Sequence, residues 1–312
     1  MATLKKKSVT TSGGLRLGLC CQFMGEPIKF RTTTATFLQR LPRREQLGNL
    51  ARLCLENATM LRAALEFCAA NRIGSFRIGS SILPVSTHPV VGYRLEQLPG
   101  GEAIIEKFRQ CGEFARARNI RTGFHPDQFV VLNSPNMEIV MRSIADIEAQ
   151  AEIAEWTNGD TLNIHGGGGY GDKVAALERF RRNLDLLSPR VRSRLTVEND
   201  DKTFTPSDLL PLCRAEGIPL VYDAHHHRCL ADAMTLEEAS EAARATWNRE
   251  PLFHLSSPLS GWSGPHPERH HDYIDLEDFP VAWQGWPLTL EIEAKAKEWA
   301  IAKLQRDLGG AV

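Results

Sequence analysis

The sequence predicts an α/β protein in which eight βα units close into a barrel. Eight short apolar segments alternate with stretches whose apolar residues recur every three or four positions, the spacing of one helix face. Eight such units in 312 residues match the size of a single-domain TIM (β/α)8 barrel. A doubly wound open sheet is the alternative, but no Gly-x-Gly-x-x-Gly fingerprint follows the first strand and no linker divides the chain.

The strands are predicted from short apolar runs bounded by polar residues or glycine. The first is Leu-Arg-Leu-Gly-Leu-Cys at residues 15–20, and the second is Ser-Phe-Arg-Ile-Gly at residues 75–79. The other six cover residues 120–124, 161–164, 194–197, 218–222, 251–255 and 287–292.

The helices are predicted from the periodicity of apolar residues between these strands. In the first and longest, apolar residues recur on one face from Leu47 to Leu65, and Asn71 ends the helix. The others cover residues 101–118, 137–156, 172–187, 206–217, 236–248 and 294–305. The connections over residues 79–100 and 256–286 are longer than ordinary loops, which indicates a functional role.

The composition restricts the class of protein. Hydrophobic residues make up 42% of the chain and the net charge is -1, so a nucleic-acid partner would need a local basic groove or bound cations. No apolar run has the length of a signal peptide core or a membrane span. Seven scattered cysteines without a Cys-x-x-Cys pair indicate reduced thiols. We expect a cytoplasmic monomer with no membrane contact, a flexible tail over residues 1–14 and the barrel domain over residues 15–312.

Residues that bind metals fall at the carboxyl ends of the predicted strands. They come from six strands, and they are His125, His165, Glu198, Asp223, His254 and Glu293. All ten histidines lie on or after these strand ends, and none is predicted in a helix. The carboxyl ends of barrel strands meet at one mouth, so the sequence predicts a polynuclear metal site there. Nitrogen and oxygen donors without thiolate suit zinc, manganese or iron, and two or three ions sharing Glu198 would suit displacement at phosphorus.

Two local runs add to this prediction. Asp223 is followed by Ala224 and three histidines, and consecutive side chains point in different directions, so only part of the run can reach one ion. His165 is followed by Gly166–Gly169, Tyr170, Gly171, Asp172 and Lys173. Glycines let another backbone approach closely, and free amides ahead of a helix favour phosphate. No Gly-Lys-Ser/Thr follows, so the run is not a P-loop.

Together these motifs resemble the UV damage endonucleases. The resemblance runs in order from residue 15 to residue 297, and its motifs lie at residues 76–84, 87–89, 124–129, 163–167, 195–202, 254–258, 271–273 and 292–295. It implies a TIM-barrel DNA repair enzyme that nicks damaged double-stranded DNA on the 5′ side of a UV photoproduct and leaves a 3′-hydroxyl. It also implies divalent metal ions, with manganese expected and zinc or magnesium as the other candidates.

The resemblance assigns roles to individual residues. The implied metal ligands are His88, His125, His165, Glu198, Asp223, His226, His254, His271 and Glu293. Of these, Glu198, His125, His165, Asp223 and Glu293 are the expected catalytic residues, while His225 and His227 are left to packing or to contacts with DNA. Gln128 and Phe129 match the pair that probes the duplex and fills the space left by a lesion turned out of the stack.

Further DNA contacts are expected beside these motifs. They are Gly167 and Tyr170 in the glycine-rich run, together with the basic residues Arg77, Arg121, Lys173, Lys202, Arg228, Lys295 and Lys297.

The sequence departs from the family pattern at three places. Leu252 stands where family members often carry a lysine near the metals, so the resemblance implies two or three ions. Phe129 stands where tyrosine is also known, which keeps a stacking ring but removes a hydroxyl. Cys20 and Cys21 follow the first strand where some members place an aromatic residue.

Two other functions are consistent with the residues. A sugar isomerase or epimerase uses the same barrel rim and divalent ions, and the near-neutral net charge favours it. Gln128, Phe129 and the glycine-rich run favour a duplex instead, because a small sugar requires neither a wedge nor room for a phosphate backbone. A protein that binds distorted DNA without cutting it is the third possibility, to which the leucine at 252 points.

Overall fold

The computed structural model describes residues 14–309 and confirms the predicted single-domain barrel. Eight strands pair in sequence order, every pair is parallel, and β8 pairs with β1 to close the sheet. The strands are β1 (Leu15–Cys20), β2 (Ser75–Ile78), β3 (Arg121–Phe124), β4 (Gly159–His165), β5 (Leu195–Glu198), β6 (Leu220–Asp223), β7 (Leu252–Leu255) and β8 (Leu288–Ile292). The tail predicted over residues 1–14 lies outside the described residues, apart from Gly14.

Helices follow the strands and cover the outside of the barrel. They are α1 (Ala35–Leu38), α2 (Arg43–Ala70), α3 (Gly101–Ala117), α4 (Met137–Thr157), α5 (Lys173–Asn183), α6 (Pro189–Arg192), α7 (Pro206–Glu216), α8 (Ala224–Cys229), α9 (Leu236–Arg244) and α10 (Glu298–Gly309). None of the helices between residues 14 and 309 combines the length and the apolar character that crossing a lipid bilayer requires.

The sequence encodes these elements through apolar periodicity and helix caps. In α2, Leu50, Cys54, Leu61 and Leu65 are fully buried against the barrel, which is the face that the spacing predicts. Several helices begin at a side-chain cap; at the start of α7, for example, the Thr205 hydroxyl accepts the Asp208 amide. The strands are buried on both faces, one towards the barrel interior and one towards the helices, as a parallel sheet requires.

The prediction missed three short helices, of which α8 matters for the site. The Asp223 carboxylate ends β6 and accepts the His226 amide at 2.8 Å, so it caps a helix that begins at the next residue. His225, His226 and His227 therefore lie in a helix, and the prediction that no histidine is helical was wrong. Three other helix boundaries shift by four residues: α5 ends at Asn183 rather than at residue 187, α9 ends at Arg244 rather than at residue 248, and α10 begins at Glu298 rather than at residue 294.

Gly112 allows α3 and α4 to approach each other closely. A Cβ atom at this position would lie 2.3 Å from the Trp156 carbonyl oxygen and 2.8 Å from the Thr157 carbonyl carbon, both of which are backbone atoms that cannot rotate away. We expect Gly112→Ala to lower the free energy of unfolding by about 1–3 kcal/mol through overpacking, as measured by urea denaturation. Gly48→Ala in α2 is the matched control, because a Cβ atom at residue 48 would have no neighbour within 4 Å and alanine favours a helix interior. A Gly112→Ala protein as stable as the Gly48→Ala protein would contradict this account.

Candidate metal centre and adjoining cleft

The carboxyl ends of five strands bring metal-binding side chains together at the barrel mouth. Three groups of side chains have donor atoms that all lie within 4.8 Å of one another and can hold a metal ion. They are His125 with Glu198 and His254, Glu198 with Asp223 and His226, and Asp223 with His254 and Glu293. Since each group shares members with another, they form one continuous cluster.

Glu198 lies at the centre of this cluster and is fully buried. Its Oε2 atom lies 2.9 Å from His125 Nε2, and its Oε1 atom lies 3.1 Å from His254 Nδ1 and 3.3 Å from His226 Nδ1. Asn163 on β4 also donates from Nδ2 to Oε2 at 2.5 Å, which fixes the carboxylate plane. One carboxylate facing three imidazoles has the geometry expected of a ligand shared between metal ions.

Helix α8 directs its three histidines to different surroundings. His226 faces the cluster, with Nδ1 3.6 Å from Asp223 Oδ2 and 3.0 Å from the Asn199 carbonyl oxygen. His225 is buried, its Nδ1 lies 3.3 Å from the Ser256 carbonyl oxygen, and its ring packs on Trp262. The third histidine, His227, is held between the Tyr222 hydroxyl at 2.8 Å and Asp232 Oδ1 at 3.0 Å. Only one of the three imidazoles therefore joins the cluster, because consecutive residues of a helix point in directions about 100° apart.

A buried arginine lies beneath the cluster. Arg77 on β2 pairs with Glu291 Oε2 at 2.5 Å and with Glu293 Oε1 at 2.7 Å, and its Nη2 atom lies 2.9 Å from His254 Nε2. Arg77 was expected to contact DNA. The structure corrects this expectation, because the side chain is buried and its guanidinium pairs with Glu291 and Glu293. Side chains alternate along a strand, so Phe76 faces the helices while Arg77 points into the barrel.

The electrostatic environment keeps the carboxylates ionised. Burial alone would raise the pKa of Glu198, but the imidazoles of His254, His165 and His125 hold it well below its usual range. Burial is likewise outweighed at Glu293 and Glu291 by Arg77 and then His254, which hold the pKa of Glu293 well below its usual range and that of Glu291 at about 2.

Two imidazoles of the cluster, those of His254 and His226, have pKa values shifted in the opposite direction. Burial would lower the pKa of His254, but Glu198 raises it to about 10. The pKa of His226 is raised well above its ordinary value by Asp223 and Glu198, again against the effect of burial. The cluster therefore attracts positive charge, and a metal cation that binds there would displace protons from these imidazoles.

Several buried side-chain nitrogen and oxygen atoms have no hydrogen-bond partner within residues 14–309. They are His125 Nδ1, His165 Nδ1, His254 Nδ1 and Asp223 Oδ2. His254 Nδ1 and Asp223 Oδ2 lie close to each other, at 4.0 Å, but do not form a hydrogen bond. Unpaired buried nitrogen and oxygen atoms at this density carry a large desolvation cost, which a bound cation would offset. The residues present therefore fit a divalent metal site.

Three predicted ligands occupy other positions. His165 ends β4 beside the cluster, with its ring centroid 5.0 Å from that of His125, but it is in none of the three groups. His88 is outside them too, and its Nδ1 accepts the amides of Val90 and Val91 at 3.1 and 3.3 Å. His271 is directed away, since its Nδ1 accepts the Tyr273 amide at 3.0 Å and the residue lines a separate cavity of about 610 Å³.

The neighbouring His270 approaches the cluster instead, and the sequence reasoning missed it. His270 Nδ1 lies 3.7 Å from Glu293 Oε2. Residue 270 pairs with Pro258 in an antiparallel bridge, so the side chains of residues 270 and 271 point to opposite sides. The geometry therefore favours His270 over His271 as the residue beside Glu293.

A cleft of about 490 Å³ opens next to the metal-binding side chains. It is lined by Gln128, Phe129, Val131, Ile139, His165, Gly167, Gly168, Tyr170, Asp200, Asp201, Lys202, Thr203 and His226. Phe129 is 77% exposed at the cleft, which is unusual for a phenylalanine. Gly167 has a φ of +84°, and a Cβ there would lie 2.2 Å from Asn133 Oδ1, so the loop requires glycine at this position.

The basic residues that were predicted to contact DNA differ in their surroundings. Lys202 is exposed at the cleft, and Lys295 and Lys297 line a second cleft of about 650 Å³ that includes His270 and Glu293. Lys173 instead pairs with Asp208 at 2.9 Å, and Arg228 pairs with Asp278 at 3.0 Å.

Arg121 begins β3 rather than ending it, so it lies at the opposite end of the barrel, where it pairs with Asp160. The structure therefore does not bring Arg121 to the cleft beside the cluster.

Comparison with known proteins identifies the family. The family model described as "UV-endonuclease UvdE" matches residues 15–311. The chain belongs to this family. Among its relatives, the UV DNA damage endonuclease of Deinococcus radiodurans is 35% identical over 305 residues, which cover 93% of this chain and 94% of that protein. The UV DNA damage endonuclease of Bacillus velezensis is 33% identical over 300 residues, covering 92% of this chain and 91% of the relative.

Solved structures share the barrel fold, and one of them is a UVDE. The crystal structure of SacUVDE superposes with a TM-score of 0.82 at 25% identity, covering 95% of this chain and 99% of that chain. Endonuclease IV from Thermus thermophilus has a TM-score of 0.61 at 16% identity and covers 95% of this chain and all of the other. A D-psicose 3-epimerase from Clostridium cellulolyticum has a TM-score of 0.57 at 11% identity, covering 95% and 99%. The last two likenesses show the fold alone.

Proposed function

We propose that this UvdE-family protein is a metal-dependent hydrolase that nicks duplex DNA immediately 5′ to UV photoproducts and leaves a 3′-hydroxyl. The observation that carries the proposal is the buried cluster around Glu198, which opens directly onto a cleft lined by the exposed Phe129. The names of its relatives, UV DNA damage endonucleases, support the same reaction. A cytoplasmic location and a monomeric state are part of this proposal.

The proposed metal site uses the side chains that the barrel mouth gathers. His125, His165, Glu198, Asp223, His226, His254 and Glu293 would hold two or three divalent ions, with manganese proposed and zinc or magnesium as the alternatives. When bound, such ions lower the pKa of a water nucleophile and neutralise charge on the phosphate and the leaving oxygen. Glu198 fixes the spacing of the ligands, and Asn163 fixes the orientation of Glu198. His270 is the further candidate beside Glu293.

Recognition of damage is assigned to the cleft. Turning a nucleotide out of the stack costs a few kcal/mol, and the cost is smallest where a lesion has already weakened stacking. Gln128 and Phe129 follow β3, so they project next to His125 at the metal cluster. Phe129 would fill the space that the lesion leaves, and Lys202, Lys295 and Lys297 would contact phosphates on either side.

The reaction is tested with end-labelled duplex DNA, irradiated or not, incubated with the protein and Mn²⁺, Zn²⁺, Mg²⁺ or a chelator. We expect nicks in the irradiated duplex only, and none with the chelator. Equal cleavage of both duplexes, or cleavage of neither, would contradict the proposal. Binding of irradiated DNA without nicking in Mn²⁺ would instead support a non-cleaving damage-binding protein. The likeness to an epimerase does not favour a sugar substrate, because one fold supports many reactions.

Metal binding is expected to stabilise the fold. The buried carboxylates of Glu198 and Asp223 and the partly buried one of Glu293 attract a cation in the folded state, whereas the unfolded chain has no preformed site. Adding Mn²⁺ to chelator-treated protein at about 100 times the dissociation constant should raise the free energy of unfolding by about 2.7 kcal/mol. Thermal melting followed by circular dichroism measures this change, and a melting temperature that Mn²⁺ leaves unchanged would count against the site.

A further inference from the structure

Tyr170 adopts a backbone conformation that is unfavourable for its residue type. It lies in the glycine-rich loop after β4 with a φ of +49°. Gly167 and Gly171 in the same loop also have positive φ, and glycine adopts this conformation without cost. A bulky residue held there costs on the order of 1–3 kcal/mol, and such residues are concentrated at functional sites. A glycine would relieve the strain, so the side chain of Tyr170 itself has a use that offsets it.

The surrounding residues hold the Tyr170 ring in one place. The ring lies over Gly168, where a Cβ would be 3.1 Å from its Cε2 and Cζ atoms. On α5, the Arg179 guanidinium lies 5.5 Å from the ring centroid. Arg179 Nε donates to the Asn133 carbonyl at 2.9 Å, and Asn133 Nδ2 donates to the Gly168 carbonyl at 2.8 Å. The ring, the loop and the helix are therefore linked, which limits the rotational freedom of the ring.

This ring remains half exposed, and it lines the cleft beside the metal cluster. Tyr170 is 50% exposed. It shares the cleft with Phe129, from the preceding βα loop, and with His165 and His226, two of the proposed metal ligands. A flat, fixed and half-exposed aromatic ring beside charged catalytic groups suits stacking against a nucleobase, because every base has an apolar face.

We infer that Tyr170 is the stacking surface that holds an extruded base of the lesion, while Phe129 fills the gap left in the duplex. This inference rests on the proposed function and adds a residue that determines specificity. A base in a normal stack loses its stacking partners when it enters the cleft, and Tyr170 replaces only one of them. A lesion has lost much of its stacking beforehand, so the same contact favours damaged DNA over undamaged DNA.

The test compares four variants on a duplex with one UV photoproduct and on the undamaged duplex. Tyr170→Ala and Tyr170→Gly remove the ring, and Tyr170→Phe keeps it. Val174→Ala is the control, because Val174 is 80% exposed on the first turn of α5 and does not line the cleft. Single-turnover nicking in Mn²⁺, measured over a range of protein concentrations, separates the half-saturating concentration from the rate at saturation.

We expect Tyr170→Ala and Tyr170→Gly to raise the half-saturating concentration for damaged duplex about 10-fold or more, with a smaller effect on the saturated rate. The Val174→Ala protein should behave as wild type, and Tyr170→Phe should recover most of the affinity that Tyr170→Ala loses, because it keeps the ring. If the wild-type protein prefers the damaged duplex and Tyr170→Ala keeps the same preference, the inference about Tyr170 is overturned while the proposed function stands. Wild-type protein without any preference would overturn the proposed function as well.

Discussion

Replacing Glu198 by glutamine is expected to abolish nicking in Mn²⁺ while the protein stays folded. Glu198 is buried, and its two oxygens lie within 3.3 Å of nitrogen atoms of His125, His226 and His254. Glutamine keeps the size of the side chain but removes the charge and one acceptor. Removing a group that only orients a metal ligand lowers metal affinity or activity by about 10- to 100-fold. Removing a ligand shared between ions should therefore lower the nicking rate by at least about 10³-fold.

Two measurements accompany this variant. Circular dichroism should show an unchanged fold, and elemental analysis after dialysis should show fewer bound ions than in wild type. Glu178→Gln on α5 is the matched control, because Glu178 is exposed and pairs only with the nearby Arg181 in the described structure. A Glu198→Gln protein that cuts at the wild-type rate would remove Glu198 from the site.

Replacing Arg77 by methionine is expected to have the largest effect on stability. The guanidinium pairs with the buried carboxylate of Glu291 at 2.5 Å and with the partly buried carboxylate of Glu293 at 2.7 Å. Methionine fills part of the volume but leaves both carboxylates without their main counter-charge. Removing one partner of a buried ion pair costs about 3–5 kcal/mol, and we expect a loss in this range by urea denaturation in the presence of a chelator.

A second substitution shows whether the uncompensated charge causes the loss of stability. Adding Glu291→Gln to Arg77→Met should recover part of the loss, because one uncompensated carboxylate is removed, and the pair should be non-additive in a double-mutant cycle. Arg142→Met on α4 is the control, since Arg142 is exposed and pairs only with Glu138 in the described structure. If Arg77→Met changed stability no more than Arg142→Met does, the buried ion cluster would not contribute as described.

The sequence predicted the barrel, and the convergence of most of the clustered side chains, for a physical reason. Strand length and helix periodicity are local signals, and a parallel barrel places every strand end at the same mouth. His125, Glu198, Asp223, His254 and Glu293 therefore come together once the strand positions are known. The direction of Arg77 was also predictable, since its neighbours Phe76 and Ile78 are the helix-facing residues of β2.

Other features depended on contacts that no local pattern records. The choice between His270 and His271 follows from the bridge between Pro258 and His270, which forms between two distant parts of a long loop. The role of Glu291 beneath His254 depends on Arg77 entering from another strand. Helix α8, in contrast, could have been predicted from the sequence. Asp223 directly before Ala224–Cys229 is a recognisable N-cap signal, and the prediction missed it.

The central claim is that the Glu198 cluster cleaves DNA at a UV lesion, and a duplex with one cyclobutane dimer at a known position tests it most directly. The strand that carries the dimer is labelled at its 5′ end, incubated with protein and Mn²⁺, and its product is sized and offered to a DNA polymerase. The account predicts one product, which ends immediately 5′ to the dimer and is extended by the polymerase, and no product from undamaged duplex or with chelator. Cleavage at another position, an end that the polymerase cannot extend, or equal cleavage of the undamaged duplex would contradict it.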